Sequence, residues 1–235
     1  MSAASFFLPE LSVYFSPSPS CLQWQLVIAG GRNPAKSWLT EVAGNLEVYC
    51  ADKGIEAALE AGIVPKVLLG DGDSAPELSY VNAANLGVEV KRFPREKDDT
   101  DLQLLLSNIE QKNLCITGIW GGRFDHLYSN VFSLLSWTKK NNCKVIMADE
   151  KEVMMLLNCG DKLELEFKDN FRPKALSLLS LSNKATVDFY GVHWPLEKAE
   201  LDYLKPYAIS NEAVKDKINC CCYSGDIGLY ICLEE

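Results

Sequence analysis

Acidic residues recur in this chain beside glycines, and each group follows a short apolar run. Asp52 comes after the second such run. Gly70-Asp71-Gly72-Asp73-Ser74 comes after the third. Arg95-Glu96-Lys97-Asp98-Asp99-Thr100-Asp101 follows the fourth, and Gly121-Gly122-Arg123-Phe124-Asp125-His126 lies just beyond the fifth. Two carboxylates ~4 Å apart repel by about 4 kcal/mol at an effective dielectric near 20, so a fold that gathers several needs a cation among them. Oxygen donors suit magnesium, calcium or manganese, whereas zinc recruits His and Cys. The chain has only 2 histidines. Gly70, Gly72, Gly121 and Gly122 admit close backbone approach, so amides at the starts of the following helices can face phosphate oxygens. Lys97 and Arg123 add fixed positive charge suited to a polyphosphate. Neither a Walker-type loop nor a GxGxxG fingerprint is present. The chemistry indicated is a divalent cation gripping a nucleoside triphosphate.

Each group also has a structural reading. Gly-Asp-Gly-Asp is an ordinary turn composition. Asp98 or Asp99 fits as a helix cap, with acids in the first turn facing the helix dipole. Asp52 fits a surface position at a helix start. Arg123 with Asp125 reads as a local salt bridge, and His126 as a satisfied buried side chain. The functional reading rests on their coincidence at successive strand ends.

That coincidence depends on the elements. From about Trp24 to Ala148, β-rich runs (Gln25–Ala29, Leu46–Cys50, Lys66–Leu69, Val88–Phe93, Leu114–Thr117, Lys144–Ala148) alternate with helix-period stretches (Ile55–Ala61, Leu78–Leu86, Thr100–Ile109, His126–Trp137). Alternation of this kind predicts an α/β fold, a mostly parallel, Rossmann-like α/β/α sandwich, over residues 1–149. Ligands bind outside the carboxyl ends of strands in such a sheet. After Asp149 the period changes to two, as in Leu163-Glu164-Leu165-Glu166-Phe167, with turn-rich joints between further runs. Residues 150–235 therefore read as an antiparallel β-sandwich. Ser16-Pro17-Ser18-Pro19-Ser20 reads as a loop.

Composition narrows the function classes. The 235 residues are 48% hydrophobic and 23% charged, enough for a sizeable core, and carry a net charge of −9. That charge disfavours nucleic acid, whose phosphates reward clustered Lys and Arg. No apolar run suits a membrane span or a secretory signal, and the 9 cysteines, three of them consecutive at 220–222, read as reduced thiols in a cytoplasm.

At the quoted blocks the sequence resembles the thiamine pyrophosphokinase family. The matching segments are Ala51-Asp52, Gly70 to Ser74, Lys97 to Asp101, Gly121 to His126 and Ser210-Asn211-Glu212, in the family's order over roughly residues 28 to 231. The resemblance implies a homodimer with Mg2+ as cofactor and ATP as co-substrate, transferring diphosphate to the thiamine hydroxyl. It implies that Asp71, Asp73 and Asp101 hold the metal and the transferring diphosphate, with Asp52 supporting them. Lys97, Asp98, Thr100, Arg123, Asp125 and His126 would lie around ATP, with Arg123 and Asp125 also near the reacting phosphates. Ser210 and Asn211 would help hold thiamine, and Trp194 would pack on it from the partner subunit. The family usually has glycine where Lys53 stands and a bulkier apolar residue where Gly72 stands. Two rival readings are a diphosphokinase for a hydroxymethyl pterin and a non-catalytic binder of nucleotide or thiamine. A magnesium-dependent phosphohydrolase is a third.

Overall fold

A computed structural model describes residues 4–19, 21–72, 75–94, 96, 98–169 and 171–234. Asp73 and Lys97 lie outside the described residues. The elements run β1 (Ala4–Phe7), β2 (Leu11–Ser16), β3 (Trp24–Ile28), α1 (Lys36–Ala43), β4 (Glu47–Ala51), α2 (Gly54–Glu60), β5 (Val67–Gly70), α3 (Glu77–Asn85), β6 (Glu89–Arg92), α4 (Asp101–Asn108), β7 (Asn113–Thr117), α5 (Phe124–Asn141) and β8 (Val145–Ala148). There follow β9 (Glu152–Leu157), β10 (Lys162–Phe167), β11 (Ala175–Ser180), β12 (Lys184–Tyr190), β13 (Leu196–Asp202), β14 (Lys217–Ser224) and β15 (Ile227–Cys232). No helix among the described residues is long and apolar enough to cross a membrane.

Contacts divide the chain into two units. One comprises Gln23–Asn141 with Met147–Asp149. Its strands lie in the order β7-β3-β4-β5-β6, all parallel. Val67 to Gly70 are all buried, as are Asn113 to Thr117, which is what a sheet covered on both faces requires. The helices supply the cover. In α4, Leu102, Leu105 and Leu106 recur on one face; in α5, Val131, Leu134, Leu135 and Thr138 do the same. Neighbours of β3 are β4 on one side and β7 on the other, so the strand order reverses there. That reversal opens a crevice at the carboxyl ends of β3 and β7, the place where α/β sheets bind ligands.

The other unit gathers the segments running to Leu22, from Asn142 to Ile146, and from Glu150 onward. Here a six-stranded antiparallel sheet has the order β1-β2-β10-β14-β12-β13, and β11-β15-β9 pair antiparallel. The predicted alternation in β10 is visible directly: Leu163, Leu165 and Phe167 are buried between exposed or half-buried neighbours. Cys220 and Cys222 likewise face inward while Cys221 is half-buried, and burial pushes the Cys222 thiol up to about 12. The whole is an α/β fold with an antiparallel β-sandwich. The N-terminal segment groups with the sandwich, not with the α/β unit in which the sequence division placed it. Its reason is pairing: Val13 lies opposite Leu165 and Phe15 opposite Leu163, which adds β2 to the edge of β10.

Candidate active site

The crevice at the carboxyl ends of β3, β4 and β7 is a cleft of about 360 Å³. Its wall comes from Ala29-Gly30-Gly31 after β3, Asp52-Lys53 after β4, Thr100-Asp101 at the start of α4, Gly118-Ile119 after β7, and Gly122-Arg123 with His126 around the start of α5. Backbone bonds tie the loops after β3 and β7 together. The Gly31 amide donates to the Gly118 carbonyl at 2.6 Å and the Arg32 amide to the Trp120 carbonyl at 2.6 Å. A Cβ on Gly31 would stand 2.6 Å from the Gly118 carbonyl oxygen, so only glycine lets these loops lie so close. Arg32 then clamps the β3 loop with hydrogen bonds of 2.6 and 2.9 Å to the fully buried Asp149 carboxylate.

Three carboxylates meet beside this cleft. One oxygen from each of Asp52, Asp71 and Asp101 lies within 4.8 Å of the others. Each comes from a different segment: Asp52 follows β4, Asp71 follows β5, and Asp101 opens α4. Asp52 is buried, with its backbone left-handed at φ 42°, a conformation that aspartate tolerates better than most residues. Its amide donates to the Leu69 carbonyl at 2.8 Å, and its Oδ1 accepts the Tyr80 hydroxyl at 2.8 Å. Burial, then the hydrogen bond to Asp52, raises the Tyr80 phenol well above its ordinary range, so it stays a donor. The cluster offers oxygen only. It fits a hard divalent cation such as Mg2+, and mutual repulsion of the three charges is a second reason to expect one.

Thr100 caps α4, its hydroxyl accepting the Gln103 amide at 3.3 Å while Gln103 Oε1 accepts the Thr100 amide at 2.8 Å. The cap is therefore Thr100 rather than Asp98 or Asp99, both of which are exposed. Asp98 is not among the residues lining the cleft. The cap presents Asp101 at the positive end of the helix, where its charge is favoured. Arg123 and Asp125 form the two-pronged pair anticipated by the structural reading, at 3.0 Å and 2.5 Å. Each holds the other charged: the Arg123 bond lowers the Asp125 carboxyl, and Asp125 raises the guanidinium. His126 is exposed and lines the cleft, against the expectation of a buried, satisfied side chain. Lys53 takes ordinary helical angles (φ −59°, ψ −18°) at the start of α2, so a side chain costs nothing there, and it lines the cleft.

The other unit carries Trp194, Ser210 and Asn211. Trp194 is 56% exposed, its ring edge-on to His193 at 4.4 Å between centroids. Asn211 is buried and uses its amide on the Trp194 backbone. Its Oδ1 accepts the Trp194 amide at 3.0 Å and the Glu212 amide at 2.9 Å, and its Nδ2 donates to the Trp194 carbonyl at 2.8 Å. Ser210 is exposed at φ 57°, its amide donating to Ser177 Oγ at 3.0 Å.

Of the aspartates expected from the sequence, Asp52, Asp71 and Asp101 come together, whereas Tyr80, inside the helix-period stretch, reads as core and was not expected at the cluster. The one available signal was its type, because a buried tyrosine hydroxyl almost always has a partner.

Residues 43–147 match the sequence model of the thiamin pyrophosphokinase catalytic domain. The thiamine pyrophosphokinase of Bacillus subtilis is 28% identical over 199 residues, covering 81% of this chain and 90% of that protein. The crystal structure of the Bacillus subtilis thiamine pyrophosphokinase superposes with a TM-score of 0.77 at 25% identity, covering 91% of this chain and 100% of that one. The thiamin pyrophosphokinase of Candida albicans has the same fold, with a TM-score of 0.76 at 16% identity over 90% of this chain and 89% of that one.

Proposed function

We propose, from the premise that this chain belongs to the thiamine pyrophosphokinase family, that it transfers the diphosphate of ATP to the hydroxyl of thiamine, releasing AMP. The observation that carries the reading is the meeting of Asp52, Asp71 and Asp101 beside the cleft at the strand-order reversal. Asp71 and Asp101 are proposed as metal ligands together with Asp73. Asp52 completes the acidic set. Mg2+ bound there would neutralise phosphate oxygens and lower the repulsion met by an incoming hydroxyl.

The chain's own residues then supply position and charge, which is most of what phosphoryl-type transfer needs. Gly30, Gly31 and Gly118 leave backbone, not side chains, at the cleft wall where phosphates would lie. Arg123, pre-aimed by Asp125, stands at the cleft for the charge that develops on the phosphates. Lys97, Asp98, Thr100 and His126 are assigned to the surroundings of ATP, with Lys53 as an added cation. An acceptor for the hydroxyl proton is needed, and Asp73 suits it better than Asp125, whose oxygens are both engaged by Arg123 and whose affinity for a proton is lowered.

Thiamine is a flat cation, and the exposed indole of Trp194 suits it. Ser210 would contact the same ligand, and Asn211 would act through the Trp194 backbone. In this reading the sandwich unit binds thiamine and dimerises, Trp194 serves the partner subunit's site, and the enzyme works in the cytoplasm. Incubating the protein with ATP, Mg2+ and thiamine and weighing the products is the direct test. Thiamine diphosphate and AMP are expected only when all three are present. ADP with thiamine monophosphate, acceptor-independent release of AMP, or equal use of a hydroxymethyl pterin would overturn the proposal.

A further inference from the structure

Tyr80 lies on α3, away in sequence from the acidic and glycine-rich blocks at the strand ends, yet its side chain reaches the acidic cluster. It is 1% exposed, and its hydroxyl donates to Asp52 Oδ1 at 2.8 Å. Three features hold the phenol there. The Arg92 guanidinium from β6 covers the ring at 4.6 Å from its centroid. Arg92 is itself held by Glu77, on the first turn of α3, at 2.6 Å. Gly70 ends β5 just before Asp71, and a Cβ there would come 2.6 Å from the Tyr80 hydroxyl and 2.9 Å from Asp52 Cβ. Glycine at that position leaves the space through which the hydroxyl meets the carboxylate.

A carboxylate turns easily about its last torsion, and one that belongs to a cation site must be stopped in a useful orientation. Asp52 has its backbone set by the bond to Leu69 and its left-handed φ of 42°, but these do not set the carboxylate plane. The phenol does. We infer that Tyr80 is a positioning residue of the cation site: its O–H fixes the Asp52 carboxylate beside Asp71 and Asp101 without itself binding the ion. The bond also offers the crowded acids a neutral donor, which eases their approach before a cation arrives. A tyrosine buried for packing alone would need only some acceptor; this one takes an oxygen of the carboxylate that the cluster shares.

The inference rests on the proposed metal-dependent function, and a direct binding measurement keeps the two apart. Mg2+ binding to the full chain is measured by calorimetry, with and without ATP, for the wild type and Tyr80→Phe, with circular dichroism confirming the fold. Loss of an orienting partner behind a metal ligand typically weakens binding by about 10–100-fold. The Mg2+ Kd of Y80F should therefore rise roughly tenfold or more. The Mg2+ concentration for half-maximal turnover should rise with it, while kcat at saturating Mg2+ largely recovers. Wild-type and Y80F proteins with equal Kd, differing only in thermal stability, would overturn the inference and leave the function standing. A wild type that binds no Mg2+ would overturn both. Should Y80F not fold, 3-fluorotyrosine in the native chain gives a second readout by fluorine NMR. Mg2+ must shift a tyrosine resonance that Asp52→Asn also shifts, and no such resonance would defeat the inference.

Discussion

Asp101 has a different task from the other two members of its cluster. It opens a capped helix, so its charge is favoured by the α4 dipole as well as available to a cation. Asp101→Asn keeps the shape and the helix start but removes a charge from the proposed cation site. Turnover should fall by roughly a hundredfold or more, the scale expected when several kcal/mol of charge stabilisation is lost, with an unchanged circular dichroism spectrum. Asn211 makes a contrasting case. Its amide is spent on the Trp194 backbone, so Asn211→Ala should raise the KM for thiamine several-fold while the KM for ATP stays put, read from steady-state kinetics with each substrate varied. The sequence pointed to Asp52, Asp71 and Asp101 because acids beside glycines recur at successive strand ends, although each group alone has a structural reading. It could not reveal that Tyr80 reaches Asp52 across Gly70, or that Asn211 faces a backbone, because both depend on distances between segments far apart in the chain.

The four helix-period stretches and six β-rich runs of the first half all correspond to elements, with ends displaced by a few residues. The α/β alternation was legible because buried parallel strands and amphipathic helices have different periods. Five elements were not, among them β9 (Glu152–Leu157), an almost continuously buried run without a period of two. In α1 the sequence Lys36-Ser37-Trp38-Leu39-Thr40-Glu41-Val42-Ala43 is too short to establish a period, and β13 (Leu196–Asp202) alternates weakly, with Leu201 its one buried residue. β1 and β2 lie before the α/β pattern begins and gain their meaning only from pairing with β10. Caps were partly legible: the acidic run hinted at one but pointed to Asp98 or Asp99, whereas Thr100 with Gln103 forms the reciprocal pair. Thr100→Ala should cost about 1 kcal/mol, which for a chain of this size lowers Tm by about 2–4 °C. Thr100→Ser should restore it, both read by calorimetry.

At the scale of the molecule, the two ends of the parallel sheet carry charge differently. At the carboxyl ends, Asp52, Asp71 and Asp101 crowd together. At the start of β4, Glu47 is paired with Lys112 and Lys66, each at 2.7 Å. Hydrogen bonds from Lys112 first, and then Lys66, hold the Glu47 carboxyl down at about 2, against an ordinary 4.5. A depressed carboxyl contributes stability that is fully present above its unfolded value and is lost as pH falls through its folded value. Acid unfolding should therefore draw on this pair between about pH 4.5 and 2. Lys112→Met should move the acid midpoint to higher pH in a fluorescence titration, and by a modest amount, since Glu47 remains 40% exposed. Asp149 closes the α/β unit close to where the sequence period changes, whereas the N-terminal strands join the other unit through pairing that no local pattern reveals.

Central to the proposed function is a divalent ion gripped by the acids at the strand ends and gripping ATP in turn. Anomalous diffraction from crystals grown with Mn2+ and a non-hydrolysable ATP analogue addresses it most directly. The expected result is a manganese peak in contact with carboxylate oxygens of Asp71 and Asp101 and with phosphate oxygens of the nucleotide. Manganese bound elsewhere, or a nucleotide seated away from the cleft after β3, β4 and β7, would contradict it.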